Sequence, residues 1–306
     1  MDKKKILIIG LTSFIGFNVA VYLKKKGYLV NGITSIKKKK SIQISRLKIL
    51  RKHKIKIYKK NLLLKKSFLN FDKFQIIINA IGWTKNFNNN KFNYSKVSDN
   101  YNLFYQNLVN IFRINSPDLF IEIGSSSEYG KSKVKFSENS KCNPDNDYGK
   151  LKLNNSKLLK KLSTSFKFPV IILRIFSIFG NLDRKDRLIE YIKNNKKITI
   201  NKPFLKQDFI PIDYLNKIVS SVITKGKFKN YNIYNCCSGL GITPMEIINL
   251  LPKSKLKEKT INFKFNKIQN IKNYNKTCIG LNKKIIKDFK LKQPKVIEDI
   301  KKYLSK

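Results

Sequence analysis

A tyrosine and a lysine four residues apart form the pair with the clearest chemical potential in the sequence. Tyr148 and Lys152 bound the segment YGKLK, which has the pattern YxxxK. On a helix, residues at this spacing share one face. An ammonium beside a phenol favours the phenolate, and the hydroxyl can then exchange a proton with an alcohol or a carbonyl. The spacing therefore predicts a general acid–base pair.

A serine-rich stretch precedes this pair. Residues 124–130 read GSSSEYG and directly follow the apolar run at 119–123. A serine at a strand end can hydrogen-bond the same substrate oxygen as Tyr148 and orient it. The three serines Ser125, Ser126 and Ser127 are equal candidates on this argument alone.

A glycine-containing turn near the beginning of the chain predicts a dinucleotide site. The apolar run at 6–9 leads into GLTSFIG at residues 10–16. Glycines at the turn and in the following helix allow the backbone to approach a pyrophosphate at the helix N-terminus. The usual third glycine is replaced by Ser13, so a plain strand-to-helix turn is the alternative. The candidate residues of this turn are Gly10, Ser13, Phe14, Ile15 and Gly16.

The end of the second predicted strand bears on the choice of cofactor. An acidic residue there, about 18 residues beyond Gly16, would hold the ribose hydroxyls of NAD. This chain has Thr34 and Ser35, followed by lysines at 37–40. Hydroxyls and lysines suit a 2′-phosphate better than a carboxylate would. The pattern favours NADP(H), with NAD(H) as the alternative.

Short apolar runs alternate with helix-length segments around these motifs. Strands are predicted at 6–9, 29–33, 55–58, 75–79, 119–123 and 170–173, with helices near 41–52, 95–115 and 147–163. Such βαβ alternation predicts an α/β fold with a Rossmann-type, doubly wound parallel sheet. The pattern becomes irregular after about residue 180. We predict a Rossmann domain at 1–178, rejoined by about 207–235, and a smaller α+β substrate domain at 179–206 and 236–306.

The net charge of +46 comes from 65 basic and 19 acidic residues. Only six of the basic residues are Arg, the side chain that base-reading proteins favour, and the lysines are spread along the chain. We therefore interpret the charge as a solvated surface and expect neither specific nucleic-acid binding nor membrane insertion. A non-catalytic Rossmann protein that binds polyanions is the alternative from another class.

Cysteine and histidine usage excludes several other chemistries. The four cysteines form no CxxC pair, and His53 is the single histidine. This usage argues against a disulfide framework and a zinc site, so we expect no metal and a cytoplasmic location. A Ser-His-Asp triad would depend on His53 alone.

Taken in order, these motifs resemble the extended short-chain dehydrogenase/reductases that act on nucleotide sugars. The segment at 10–16 is similar to TGxxGFIG, and LRIFSIFG at 173–180 is similar to LRxxNxYG with Ser177 in place of Asn. QDFIPID at 207–213 is similar to RDFIxVxD with Gln207 in place of Arg, and YNCCSG at 234–239 is similar to YNxGSG. By this resemblance, further cofactor contacts come from Asn61, Leu62, Ala80, Ile81, Gly82, Asn102 and Phe176.

The resemblance also implies the roles of the candidate residues. Ser125 stands five residues before Gly130, where the family has its catalytic Ser or Thr. Ser126 is the second candidate for that role, and with Ser125 as the catalytic serine we expect Ser126 to contact the substrate. A hydride passes between nicotinamide and a sugar carbon while Tyr148 handles the proton. Arg184 and Arg187 are candidates for binding the nucleotide diphosphate, and the alternative is that they merely form an exposed helix start. A homodimer is the expected assembly.

The residue at position 127 bears on which reaction of the family this chain would catalyse. The family's 4,6-dehydratases carry an acid three residues before the glycine that is Gly130 here, but this chain has Ser127, and Glu128 comes one residue late. Dehydration is therefore disfavoured. The motif GSSxEYG resembles reductases that convert 4-keto nucleotide sugars to 6-deoxyhexoses. The favoured hypothesis is NADPH-dependent reduction of a 4-keto-6-deoxy sugar, and the alternative is a 4-epimerase that keeps NAD bound.

Overall fold

A computed structural model describes residues 4–35, 41–64, 73–82, 94–114, 116–264 and 277–306. The strands are β1 Lys5–Ile9, β2 Leu29–Thr34, β3 Lys56–Lys59, β4 Ile76–Asn79, β5 Leu119–Ser125, β6 Val170–Ile175, β7 Ser177–Phe179, β8 Lys197–Ile200, β9 Gln207–Pro211, β10 Tyr231–Cys236, β11 Gly241–Ile242 and β12 Thr260–Phe263. The helices are α1 Phe14–Lys25, α2 Ser41–Lys52, α3 Tyr94–Ile114, α4 Asp147–Phe166, α5 Leu188–Asn194, α6 Ile212–Lys225, α7 Pro244–Asn249, α8 Lys253–Lys257, α9 Lys283–Phe289 and α10 Val296–Ser305.

Seven parallel strands form the main sheet, in the order β10-β6-β5-β4-β1-β2-β3. The predicted α/β fold with a Rossmann-type parallel sheet is confirmed, and the six strands predicted between residues 6 and 173 are present with ends shifted by at most two residues. The strand order reverses between β1 and β4. In open α/β sheets, ligands bind at such a reversal, outside the carboxyl ends of the strands.

Side chains that alternate along each strand separate into two cores. In β1, Ile6 and Ile8 pack with helices α1 and α6, whereas Leu7 and Ile9 pack with α3 and α4. Both faces of the sheet are thus covered by helices. This double burial explains why β4, β5 and β6 are almost continuously apolar instead of alternating with polar residues.

A smaller set of elements follows the main sheet. Strands β7, β9 and β11 form one sheet, and β8 pairs with β12. A third core joins these strands with α5, α7 and α10. The chain returns to the main sheet at β10, which pairs in parallel with β6. The proposed domain boundaries stay a prediction. Within the described ranges, each helix is too short or too polar to span a lipid bilayer.

Candidate functional site

Helix α4 carries the acid–base pair and begins against the serine-rich turn. Asn146 caps the helix by accepting a hydrogen bond from the Gly149 amide at 2.9 Å. Gly149 lies so close to the turn that a Cβ there would stand 2.2 Å from the carbonyl oxygen of Ser127. Only a residue without a side chain permits this approach. The first turn of α4, which includes Tyr148, is therefore held directly on residues 125–128.

Lys152 is fixed to strand β5 from one helical turn below Tyr148. Its side chain is buried, and Nζ donates to Glu122 Oε1 at 3.1 Å and to the carbonyl oxygen of Ile123 at 2.7 Å. Burial alone would lower the pKa of Lys152, but the charges of Glu122, Tyr101 and Tyr148 outweigh burial and raise it. The lysine therefore stays an ammonium.

Glu122 is the partner that sequence reasoning missed. It is fully buried in β5 and also accepts a hydrogen bond from Asn79 Nδ2 at 2.7 Å. Burial raises the pKa of this carboxyl, while Lys152 and the hydrogen bonds from Asn79 and Tyr105 oppose the rise. The feature of the sequence that could have identified Glu122 is an acidic residue inside the otherwise apolar segment FIEIG.

Ser125 ends β5 and begins a short 3-10 helix, Ser126–Glu128. Its hydroxyl accepts from the Ser127 amide at 3.2 Å, and its own amide donates to Glu128 Oε1 at 3.0 Å. Ser125 is buried and Ser126 is half-buried. The carbonyl oxygen of Ser126 receives a 3.6 Å contact from the thiol of Cys278. The structure thus brings Ser125, Ser126 and the beginning of α4 together.

Glu128 joins this turn to buried groups behind it, since its Oε1 caps Ser125 and its Oε2 has other partners. Its Oε2 accepts from Ser156 Oγ at 2.9 Å and from Arg174 Nε at 3.0 Å, and the whole residue is buried. The carboxylate is thereby committed to a structural ion pair. This arrangement agrees with the expectation that Glu128 does not take the place of an acid at position 127.

The glycine turn joins β1 to α1 at the centre of the sheet. Gly10 has a φ of +83°, and its amide donates to the carbonyl oxygen of Ile33 at 3.1 Å. A Cβ on Gly16 would stand 2.5 Å from the carbonyl oxygen of Gly10. Ser13, in place of the third glycine, caps α1 by accepting from the Gly16 amide at 3.0 Å. Phe14 and Ile15 are half-buried in the first helical turn.

The end of β2 lies beside this turn. Thr34 is buried, and its hydroxyl shares a 2.8 Å hydrogen bond with that of Thr12, while Ser35 is exposed. The lysines at 37–40 lie outside the described residues. Arg46 of α2, which sequence reasoning missed, donates to the carbonyl oxygens of Thr12 at 2.8 Å and Leu182 at 2.6 Å. A buried arginine therefore links the turn to the segment after β7.

The other predicted cofactor residues lie at several places around the sheet. Ala80 and Ile81 are buried just after β4, and Gly82 is exposed. Asn61 and Leu62 are half-buried in the turn after β3.

Two further cofactor candidates differ in their surroundings. Phe176 is buried after β6 and packs with Tyr129, Phe136 and Cys237. Asn102 is exposed on α3, and its neighbour Tyr101 lies against Lys152 instead, with 6.0 Å between Nζ and the ring centre. Successive residues of a helix point in different directions, and a cofactor contact through Asn102 stays a prediction.

The two candidate diphosphate-binding arginines lie at the beginning of α5. Arg184 pairs with Asp186 at 3.1 Å, and Arg187 lies 3.8 Å from Asp183. Both side chains are about half exposed. They are open to solvent but are not in a described contact with Ser125, Tyr148 or Lys152.

Known proteins resemble this chain across most of its length. A dTDP-D-glucose 4,6-dehydratase of Dictyostelium discoideum is 28% identical over 266 residues, which are 80% of this chain and 60% of that protein. The chain thus spans less than two thirds of this relative. UDP-glucuronic acid 4-epimerase of Bacillus cereus, solved with UDP-glucuronic acid and NAD, has a TM-score of 0.77, 22% identity and coverage of 98% and 97% of the two chains. UDP-glucose 4-epimerase of Bifidobacterium longum, solved with NAD+ and UDP, has a TM-score of 0.78 at 16% identity and covers 98% and 97%.

The family itself is shown by a match to most of the chain. The profile of the NAD dependent epimerase/dehydratase family matches residues 6–237, from β1 through β10. This range contains the glycine turn, the serine-rich turn and the Tyr148–Lys152 pair. The chain therefore belongs to the NAD-dependent epimerase/dehydratase family of extended short-chain dehydrogenase/reductases.

Proposed function

We propose that the protein is an NAD(P)-dependent oxidoreductase of nucleotide-diphosphate sugars. The observation that carries the proposal is the junction of α4 with the end of β5. It combines a phenol, a buried ammonium one helical turn away, and the strand-end hydroxyl of Ser125. Such a set can move a proton to or from a sugar oxygen.

The glycine turn fits a nicotinamide dinucleotide. Gly10 and Gly16 bring two backbone segments so close that a Cβ on Gly16 would meet a carbonyl oxygen at 2.5 Å. The first amides of α1 stand at the reversal of the strand order, where a diphosphate is favoured. Bound there, the cofactor would supply or accept a hydride. The solved relatives from Bacillus cereus and Bifidobacterium longum contain NAD.

The proposed roles of the protein groups follow from their chemistry. Tyr148 donates a proton to the substrate oxygen during reduction, or accepts it during oxidation. Lys152, held as an ammonium, favours the phenolate that oxidation needs. Ser125 donates a hydrogen bond to the same oxygen and orients it. Arg184 and Arg187 are the proposed contacts for the diphosphate, and Ser126 for the sugar.

Reduction of a 4-keto-6-deoxy sugar with NADPH is the favoured reaction. Position 34 at the end of β2 is a buried threonine without negative charge, which is compatible with a 2′-phosphate. A 4-epimerase is the second candidate, because two solved relatives are 4-epimerases. Dehydration is less favoured although one relative is a 4,6-dehydratase, since position 127 is serine and Glu128 is paired with Arg174. Assembly as a homodimer and a cytoplasmic location stay predictions.

A substrate panel tests this proposal. The purified protein is mixed with UDP-, dTDP-, GDP- and CDP-linked sugars and 4-keto-6-deoxy sugars, each with NADPH or NADH, and followed at the nicotinamide absorbance. Net oxidation of NADPH by a 4-keto sugar would support the reductase. Conversion between C4 epimers with tightly retained NAD and no net absorbance change would support the epimerase. Polyanion binding without any binding of nicotinamide cofactor would contradict both.

A further inference from the structure

Glu122 and Lys152 form a buried ion pair in the candidate site. The side chains are 1% and 3% exposed, and Lys152 Nζ lies 3.1 Å from Glu122 Oε1. An ammonium left without a counter-ion at this depth would be costly, and so would the carboxylate. Each group therefore stabilises the charged form of the other, and Lys152 Nζ also binds the carbonyl oxygen of Ile123.

The carboxylate is held from elements other than α4. Asn79 at the end of β4 donates to Oε2 at 2.7 Å, and Tyr105 of α3 adds a phenolic hydrogen bond. Asn79 is itself tied to the Ile81 amide by its carbonyl oxygen. Glu122 is thus a fixed anchor, and Lys152 is the group that it positions.

Two of the three N–H donors of Lys152 bind β5, at Glu122 and at the carbonyl oxygen of Ile123. The groups facing the pair are Tyr101 and Tyr105 from α3, Tyr148 from α4 and the neutral Asn79 from β4. On the β6 side, Glu122 is opposite the apolar Ile172. Glu122 is therefore the one carboxylate among these described neighbours, and it offsets the charge of Lys152.

We propose that Glu122 is a positioning residue for Lys152, which holds the ammonium against β5 and limits how strongly it favours the phenolate of Tyr148. The inference rests on the proposed acid–base role of Tyr148 and adds a residue to it. Glu122 does not touch the substrate. Its charge sets the field in which Tyr148 exchanges its proton.

The pH dependence of turnover tests the electrostatic part. In Glu122→Gln the charge of Lys152 is no longer offset, so the limb of the kcat/KM profile that Tyr148 controls should shift by about one pH unit to lower pH. Glu122→Asp keeps the charge and should keep the limb near its original pH. Glu190→Gln, at another buried glutamate in α5, is the control and should leave the profile unchanged. If Glu122→Gln turns over more slowly but the limb of its kcat/KM profile stays at the same pH, Glu122 has only a structural role and the proposal is overturned.

A stability cycle tests the anchoring without any turnover. Thermal unfolding is compared for Glu122→Gln, Lys152→Met and the double variant. Each single variant leaves one buried charge unpaired, so the double variant should unfold at a higher temperature than either. If Glu122→Gln alone fails to fold, recovery of folding in the double variant supports the pairing. Additive losses would overturn it. Because this cycle needs no substrate, its outcome is separate from that of the proposed reaction.

Discussion

Two buried glutamates near the end of β5 serve different purposes. Glu122 lies next to Lys152, whereas Glu128 lies behind the serine-rich turn and pairs with Arg174. The capping box between Ser125 and Glu128 ties the candidate catalytic serine to that second pair. Ser125 is therefore held in place by an ion pair that has no part in the proposed proton transfer.

Removal of Arg174 should destabilise the fold strongly. Arg174→Met leaves the Glu128 carboxylate buried without its cation, and such a loss costs about 3–5 kcal/mol. The free energy of unfolding, measured in urea, provides the test. The matched control is Lys150→Ala, which breaks the exposed pair with Asp147 and should cost less than about 1 kcal/mol. Equal losses for the two variants would show that the Arg174 pair is not a buried anchor.

Helix α4 and the turn after β5 form a single unit because Gly149 permits their contact. At an exposed position inside a helix, replacement of glycine by alanine stabilises the folded state by about 1 kcal/mol. In Gly149→Ala the added Cβ would meet the backbone oxygen of Ser127 at 2.2 Å, so the beginning of α4 must move away. We expect a lower unfolding temperature and a loss of turnover on the order of a hundredfold.

Lys160→Ala provides the control for this helix. Lys160 is exposed on α4, and its substitution should leave the unfolding temperature and the turnover near those of the unchanged protein. A Gly149→Ala protein that is more stable and fully active would show that the contact with the turn tolerates a side chain.

The strands and the glycine turn could be predicted because their sequence patterns are local. The strand periods and the glycine turn are visible within a few residues, and the parallel sheet follows from them. The partners of the site are not local. Lys152 is 30 positions from Glu122, and Arg46 is 136 positions from Leu182. On α3, spacing in the sequence did not show that the ring of Tyr101 lies against Lys152.

At the scale of the whole molecule, the net charge of +46 is the dominant feature. Self-repulsion among so many like charges opposes the compact state and is screened by salt. Raising sodium chloride from about 50 to about 500 mM should therefore increase the unfolding temperature. Potassium chloride should raise the unfolding temperature to the same extent, because either salt screens the repulsion between like charges. A steady decrease with salt would indicate that exposed ion pairs outweigh the repulsion.

The proposed activity connects all three scales, since the sheet positions the strand ends, α4 positions the phenol, and Lys152 supplies the charge. Turnover of the best substrate by Tyr148→Phe tests it most directly, with Tyr22→Phe, near the C-terminal end of helix α1, as control. We predict that Tyr148→Phe loses activity by a factor on the order of a hundred or more, while it folds normally and Tyr22→Phe stays active. Full activity in Tyr148→Phe would contradict the account.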